Sequence, residues 1–393
     1  MGVFLTNLDK YPLFFLCYNG CMKILIASDS YKGSLTSKQV ANIITQAIYE
    51  KDQSIEVFSL PIADGGEGSL ECALNIQNAK LIECEVHGPY DDLVLAKYVK
   101  INQTAIIEMA EASGLMKDVR QMKNPLLAST FGTGELMIDA LNKGCTDFIL
   151  CLGGSATNDA GCGMASALGV KFMCQDERLK PIPNELRKCT HVDLSNFDSR
   201  IEGCTFTLAC DVNNPLLGEC GASYVFGPQK GAKDVEELDQ ILSHVSNLLE
   251  KETGNFCRNN EGAGAAGGLG FGLMCLCNAH KRSGIEVMLE LTHFEDIVQK
   301  VDLVITGEGK TDKQTAFGKA PVGIAKVSKK HNKPVVLISG VIEPDADLSE
   351  FGIVQQISCV PYGSNIEEAI LNAENNLYVS TKKMMEEIYG NLV

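Results

Sequence analysis

The chain has 393 residues, 45% hydrophobic and 21% charged, with 34 basic against 50 acidic side chains and a net charge of −16. That length exceeds what one core usually fills, so two domains are expected. The acidic balance argues against a nucleic-acid partner, which needs a basic footprint, and no apolar run approaches the roughly 20 residues of a membrane-spanning helix. The sixteen cysteines contain no Cys-x-x-Cys pair, and most sit in apolar runs, as at Cys145, Cys151, Cys162 and Cys210. They read as free thiols acting as small core hydrophobes in a reducing, cytoplasmic compartment.

Residues 1–21 carry a short apolar stretch without the basic start or small-residue cleavage site of a signal peptide. They are expected to be an extension outside the fold, with Met22 opening the first element. Residues 23–27 (Lys-Ile-Leu-Ile-Ala) read as a buried strand. Val40, Ile43, Ile44, Ala47 and Ile48 then recur at i, i+3, i+4, i+7 and i+8, the core stripe of a helix, and Thr36 and Gln39 have capping-box spacing at its start. Residues 55–60 read as a second strand, closing a β-α-β unit. Further strands are expected at 105–109, 148–152 and 204–210, and helices at 134–143 and 234–250. A second β-α-β unit follows near the other end: strand 302–306, a helix over 319–331 with Pro321 in its first turn, and strand 334–339. Alternation of this kind predicts an α/β fold with mostly parallel sheet, in which ligands sit beyond the carboxyl ends of the strands.

The segments after those strands are alike in chemistry. They are Ser28-Asp-Ser-Tyr-Lys-Gly33, Ala63-Asp-Gly-Gly-Glu-Gly68, Gly153-Gly-Ser-Ala-Thr-Asn-Asp159-Ala-Gly161, Asp211-Val-Asn-Asn-Pro215 and Gly307-Glu-Gly-Lys-Thr-Asp312. Any one of them could be a turn followed by a helix cap; five at strand ends point to a shared site. Glycine lets backbone N–H groups approach an anion. Carboxylates can hold Mg²⁺ or accept a hydroxyl proton, and lysine offsets charge that develops in transfer. Phosphoryl transfer uses all four.

Competing motifs fail on context. Gly262-Ala-Gly-Ala-Ala-Gly267 matches the dinucleotide fingerprint, but residues 254–261 before it are polar and strand-poor. Gly309-Lys-Thr311 resembles a P-loop tail, yet the earlier glycine would fall at Val304, inside a strand. Gly154-Ser155-Ala156 lacks the second glycine of a serine-hydrolase elbow. The six histidines show no metal spacing.

Together, the motifs Asp29-Ser-Tyr-Lys-Gly-Ser34, Ala63-Asp-Gly-Gly-Glu-Gly68, the 153–161 loop, Gly227-Pro-Gln-Lys-Gly231 and Thr306-Gly-Glu-Gly-Lys-Thr-Asp312 resemble the bacterial class I glycerate kinase family, of the glycerate 2-kinase type. The likeness runs in order from about Met22 to the C-terminal region. It implies an ATP-dependent kinase that converts D-glycerate to 2-phosphoglycerate with Mg²⁺. It also implies two α/β domains with a cleft between them: a Rossmann-like one built from 22–60 and 285–393, and a second inserted over 61–284.

Within that resemblance, Asp211 is the first candidate for the base that takes the glycerate hydroxyl proton. It directly follows a strand and has no basic sequence neighbour. Asp312 and Asp159 are the alternatives, and either could hold Mg²⁺, with Asp159 taken as the metal ligand. Lys32 and Lys230 are candidates for the substrate carboxylate or the moving phosphoryl group. Gly153, Gly154, Ser155, Thr157, Asn158, Gly307, Gly309 and Lys310 are assigned to the nucleotide and its phosphates, and Asp29, Ser30, Asp64 and Lys230 to the acceptor. Two other readings stay open: an NAD(P)-dependent dehydrogenase using residues 262–267, and a non-catalytic protein that binds a phosphorylated metabolite. Glycerate and ATP are the partners expected, with no nucleic acid and no membrane.

Overall fold

The computed structural model describes residues 5–6, 21–66, 68–118 and 120–390. The chain divides into two compact units, Met1–Asp64 with Ile285–Val393, and Gly65–Gly284. The sequence places the first crossing at 60/61; in the structure the strand-following segment up to Asp64 stays with the first unit. Seventeen strands occur among the described residues. The first unit contributes β1 (Leu5–Thr6), β2 (Lys23–Ile26) and β3 (Glu56–Ser59). The second carries β4 (Ala79–His87), β5 (Leu93–Ile101), β6 (Thr104–Glu108), β7 (Asp147–Cys151), β8 (Lys171–Cys174), β9 (Glu177–Arg178), β10 (His191–Asp193), β11 (Thr205–Ala209) and β12 (His280–Arg282). The chain then returns to the first unit with β13 (Leu303–Thr306), β14 (Lys310–Thr311), β15 (Val335–Ser339), β16 (Val341–Ile342) and β17 (Ile353–Ser358).

In the first unit β17, β15, β13, β2 and β3 lie side by side in that order, all parallel. Successive side chains of a strand point to opposite faces, and the two faces are covered by different helices. Ile24, Ile26, Ile305, Val336 and Ile338 pack with Val40, Ile44 and Ile48 of the helix Ser37–Lys51 and with Leu377 and Met384 near the C-terminus. Leu25, Val304, Val335 and Leu337 pack with Ile285, Phe294, Val322 and Ile324 on the other face. Each fully buried Ile or Leu contributes roughly 1.5–3 kcal/mol, which is why these strands read as continuous apolar runs. Thr36 and Gln39 form the capping box that starts the helix Ser37–Lys51. This is the Rossmann-like arrangement expected. One feature departs from expectation: β1 pairs antiparallel with β17, Leu5 opposite Gln356, so part of the N-terminal segment joins the sheet edge. Residues 1–4 and 7–20 of that segment lie outside the described residues.

The second unit has a mixed sheet of order β12-β11-β7-β6-β5-β4. The first four strands are parallel, and β5 and β4 add an antiparallel hairpin. That hairpin escapes the sequence reading because its outward face is exposed at Leu81, Leu93 and Leu95, which breaks the clean apolar–polar alternation. The fifteen described cysteines are free. Among the described residues, no helix is long and apolar enough to cross a membrane.

Candidate functional site

In the second unit the 153–161 loop leaves the end of β7 and is pinned from several sides. Ser113 accepts the N–H of Ala156 at 3.0 Å, and Leu115 donates its N–H to Gly154 at 2.9 Å. Asp159 is fully buried, and its carboxylate accepts four hydrogen bonds: the N–H and hydroxyl of Thr130, both at 2.8 Å, and the N–H groups of Gly161 at 3.1 Å and Gly163 at 3.0 Å. Burial pushes its pKa up, and these donors partly offset the shift. A carboxylate saturated in this way cannot also serve as the expected metal ligand without giving up buried donors. Asp159 is instead the staple that folds the loop.

The side chains of Thr157 and Asn158 are also buried, where a phosphate cradle would have them outward. Asn158 donates through Nδ2 to Ser223 at 3.1 Å, while Asn158 Oδ1 and Thr157 Oγ1 find no partner. Gly154 is exposed and at φ +68°, with half-buried Gly153 before it and buried Ser155 after it, so the outward part of the turn is glycine backbone. Lys230 is buried to 1% exposure, and its Nζ donates to the Thr157 carbonyl at 2.7 Å. Direct contact with an acceptor substrate is therefore excluded for its ammonium in this arrangement. Burial lowers its pKa to about 7, against the favourable pull of Asp159.

The glycine run at 262–267 lies against the inner side of this loop. A Cβ on Gly267 would come 2.0 Å from the Thr157 carbonyl oxygen, and one on Gly264 would come 2.2 Å from that of Pro215. Ala160 donates its N–H to Gly267 at 3.1 Å. Backbone already occupies the space that a dinucleotide would need, which removes the ground for the dehydrogenase reading. Asp211, exposed just past β11, accepts from Ser283 Oγ at 3.1 Å and from the Gly284 N–H at 3.0 Å. Glu108, at the end of β6 and 8% exposed, accepts the Leu70 N–H at 2.8 Å and so caps the helix Ser69–Ala73 that follows the 63–68 motif.

In the first unit the loops after β2 and β13 interlock. Asp29 donates its N–H to Gly307 at 3.0 Å, and Tyr31 OH reaches the Ile338 carbonyl at 2.6 Å. Gly307 and Gly309 are required by close approach: added Cβ atoms would lie 2.0 Å from the Ile338 oxygen and 3.0 Å from the Lys32 nitrogen. Asp29 Oδ1 accepts the Ser30 N–H at 2.6 Å. Burial, followed by the negative charge of Asp64, raises the Asp29 carboxyl to about 7, with a smaller push from Glu308. Glu308 is itself buried. It accepts the hydroxyls of Thr311 at 2.9 Å and Thr315 at 2.7 Å, lies 3.8 Å from Lys319, and has its pKa raised by burial.

Asp312 caps the turn Lys313–Phe317 through the Gln314 N–H at 2.9 Å, and sits 3.7 Å from Lys319 and 3.9 Å from Lys310. Lys310 is exposed and pairs with Glu343 at 2.7 Å. Lys32 is exposed, and Ser30 and Asp64 are half-buried.

The profile of the Glycerate kinase family matches residues 24–389. The chain belongs to the glycerate kinase family. It is 42% identical over 375 residues to the glycerate kinase of Haemophilus influenzae, covering 93% of this chain and 98% of that one. It is 39% identical over 362 residues to the glycerate 2-kinase of Escherichia coli K12, covering 91% of this chain and 95% of that one. A crystal structure from Salmonella typhimurium LT2, described as a glycerate kinase 2, superposes with a TM-score of 0.83 at 38% identity over 94% of this chain and 99% of that one. As a member of the glycerate kinase family the chain is an enzyme, a phosphotransferase.

Within this member of the family, Asp29, Asp64, Glu308, Asp312 and Lys32 fall on first-unit loops at strand carboxyl ends, and the 153–161 loop, Asp211 and Lys230 on the second unit. Sequence reasoning left out Glu308, Lys319, Glu108 and Thr130 as individual site residues. Glu308 was visible as the acid of the Gly-Glu-Gly run that follows an apolar strand. Nothing local marked Thr130, whose partner Asp159 is 29 residues away.

Proposed function

We propose that the chain transfers the γ-phosphoryl group of ATP to D-glycerate, giving 2-phosphoglycerate and ADP. The reading is supported by membership of the glycerate kinase family over residues 24–389 and by the place of Asp29 just past β2, where its N–H bonds Gly307 and burial, then Asp64, raises its carboxyl to about 7, as suits a general base at neutral pH. Asp29 accepts the proton of the acceptor hydroxyl as its oxygen bonds to the γ-phosphorus and the bond to the bridging oxygen of ADP breaks. Lys32 serves the acceptor's carboxylate, and the backbone at Gly153 and Gly154 serves the nucleotide's phosphates. Asp211 is no longer the first candidate for the base, since its oxygen is engaged by Ser283 and Gly284.

Among the described residues no three histidine, cysteine, aspartate or glutamate side chains form a metal-holding group. Mg²⁺ needs less, because it keeps waters and takes one or two carboxylates plus phosphate oxygens. Asp64 and Asp312 both lie on strand-end loops of the first unit, and either carboxylate could meet that demand. Bound there, Mg²⁺ would supply charge neutralisation for the phosphates.

The test is ADP release by the purified chain with ATP, against D-glycerate, L-glycerate, tartronate and lactate, with and without Mg²⁺, and phosphorus NMR of the product. Release with D-glycerate and Mg²⁺, and a 2-phospho product, is expected. No release with any of the acids would end the proposal.

A further inference from the structure

Lys230 sits in the Gly227-Pro228-Gln229-Lys230-Gly231 segment, which is fixed in detail. Residues Pro228–Lys230 form a 3-10 turn, Lys230 donates its N–H to Gly227 at 3.0 Å, and Gly231 at φ +88° has the Lys123 carbonyl where a Cβ would stand, at 1.9 Å. The turn delivers an ammonium to the inner side of the 153–161 loop at 1% exposure. The acid that acts on it is Asp159, whose carboxylate is already occupied by Thr130, Gly161 and Gly163. Of the other charged or titratable groups on the packed elements, Lys123 is exposed and Tyr224 half-buried.

An ammonium buried without a matched acid is expensive, and an apolar side chain of the same length would fill the space at lower cost. The bond from Nζ to the Thr157 carbonyl offsets part of that cost, and it falls in a stretch where Thr157 Oγ1 and Asn158 Oδ1 are themselves buried without a partner.

We propose that Lys230 is a positioning residue: from beneath the loop its ammonium holds the Thr157 carbonyl, fixes the Gly153-Gly154-Ser155 turn, exposed at Gly154, in the shape that takes the nucleotide's phosphates, and adds positive charge behind that turn. The inference rests on the reading that this loop takes the phosphates of ATP. A phosphate arriving on the turn favours the charged form of a lysine whose burial has lowered it to about 7, so binding above that pH takes up a proton.

The experiment uses the full chain and ATP, with calorimetry at pH 8 in two buffers of different ionisation heat, and steady-state kinetics. Wild type takes up a measurable fraction of a proton. Lys230→Met loses that uptake and raises the KM for ATP by roughly tenfold or more, the effect of removing a charged hydrogen bond, with a smaller change in kcat. Lys230→Arg restores part of the affinity. An unchanged KM with unchanged uptake in Lys230→Met overturns the inference. If Lys230→Met does not fold, wild type decides alone, and zero uptake overturns it. Gly154→Asp separates the two claims, since it puts a like charge on the turn. If it binds ATP as wild type does, the loop reading fails. If it loses ATP while Lys230→Met does not, only the inference about Lys230 fails.

Discussion

The loops at the strand ends of the two units solve opposite problems. In the second unit, Asp159 spends its charge on four internal donors and Lys230 spends part of its own on a carbonyl, so buried charge is used to shape backbone. In the first unit, burial and the charges of Asp64 and Glu308 outweigh the backbone and hydroxyl hydrogen bonds that Asp29 receives from Ser30, so its charge is left unstable. A group whose ionised form is satisfied internally holds structure; one whose ionised form is opposed by its surroundings is poised to change protonation state. The contrast assigns scaffold to one set of carboxylates and chemistry to the other, although both look alike as Asp-Gly-rich motifs.

Exchanging the two roles by mutation tests the contrast. The largest effect is expected at Asp29: Asp29→Asn should lower kcat by roughly 10²–10⁴-fold with the thermal midpoint maintained or raised. A loss of fold instead of turnover would place Asp29 with the scaffold. The pH dependence sharpens this. Asp29 must be ionised to accept a proton, so kcat/KM should rise with pH and level off above about 7, and Asp29→Asn should lack that limb. The stability term has the opposite slope. Between about 4 and 7 the folded chain binds more protons at this site than the unfolded chain, so its contribution falls as pH rises through that window.

Next comes Asp159→Ala, which strands buried N–H groups of Thr130, Gly161 and Gly163. A loss of about 3–5 kcal/mol in urea unfolding is expected, and a variant as stable as wild type would remove the staple. Gly267→Ala should cost about 1–3 kcal/mol and weaken ATP binding, because its Cβ would collide with the Thr157 carbonyl. Asp211→Asn keeps an acceptor for Ser283 and Gly284, so a fall in kcat of less than about tenfold is expected; a collapse of the size associated with a lost base would return that role to Asp211. The smallest effect is expected on starting the chain at Met22, which removes the two-residue edge strand β1. A change within about 1 kcal/mol in stability and little in kcat should be seen, and a large loss of turnover would show that the N-terminal segment does more than pair with β17.

Much of the fold was legible because its signals are local. The stripe Val40, Ile44, Ile48 follows the 3.6-residue period, Thr36 and Gln39 cap three residues apart, and β2, β13 and β15 are apolar but for one end residue each because both faces of their sheet are covered. The hairpin β4–β5 was not legible, since one of its faces meets water with leucines on it. The motifs that mark the candidate site were likewise visible, as glycine and carboxylate after each strand.

What the sequence by itself determined is the α/β alternation, the positions of the decorated strand ends and the family. The tertiary structure alone decided what each charged side chain does there. Ionisation depends on how much water is removed and on which charges come near, and those neighbours are remote in the chain: Asp29 is set by Asp64 and Glu308, and Lys230 by a loop some seventy residues earlier. No local pattern encodes that, so Asp159, Asp29 and Lys230 look alike as ionisable motif residues and part company only when folded.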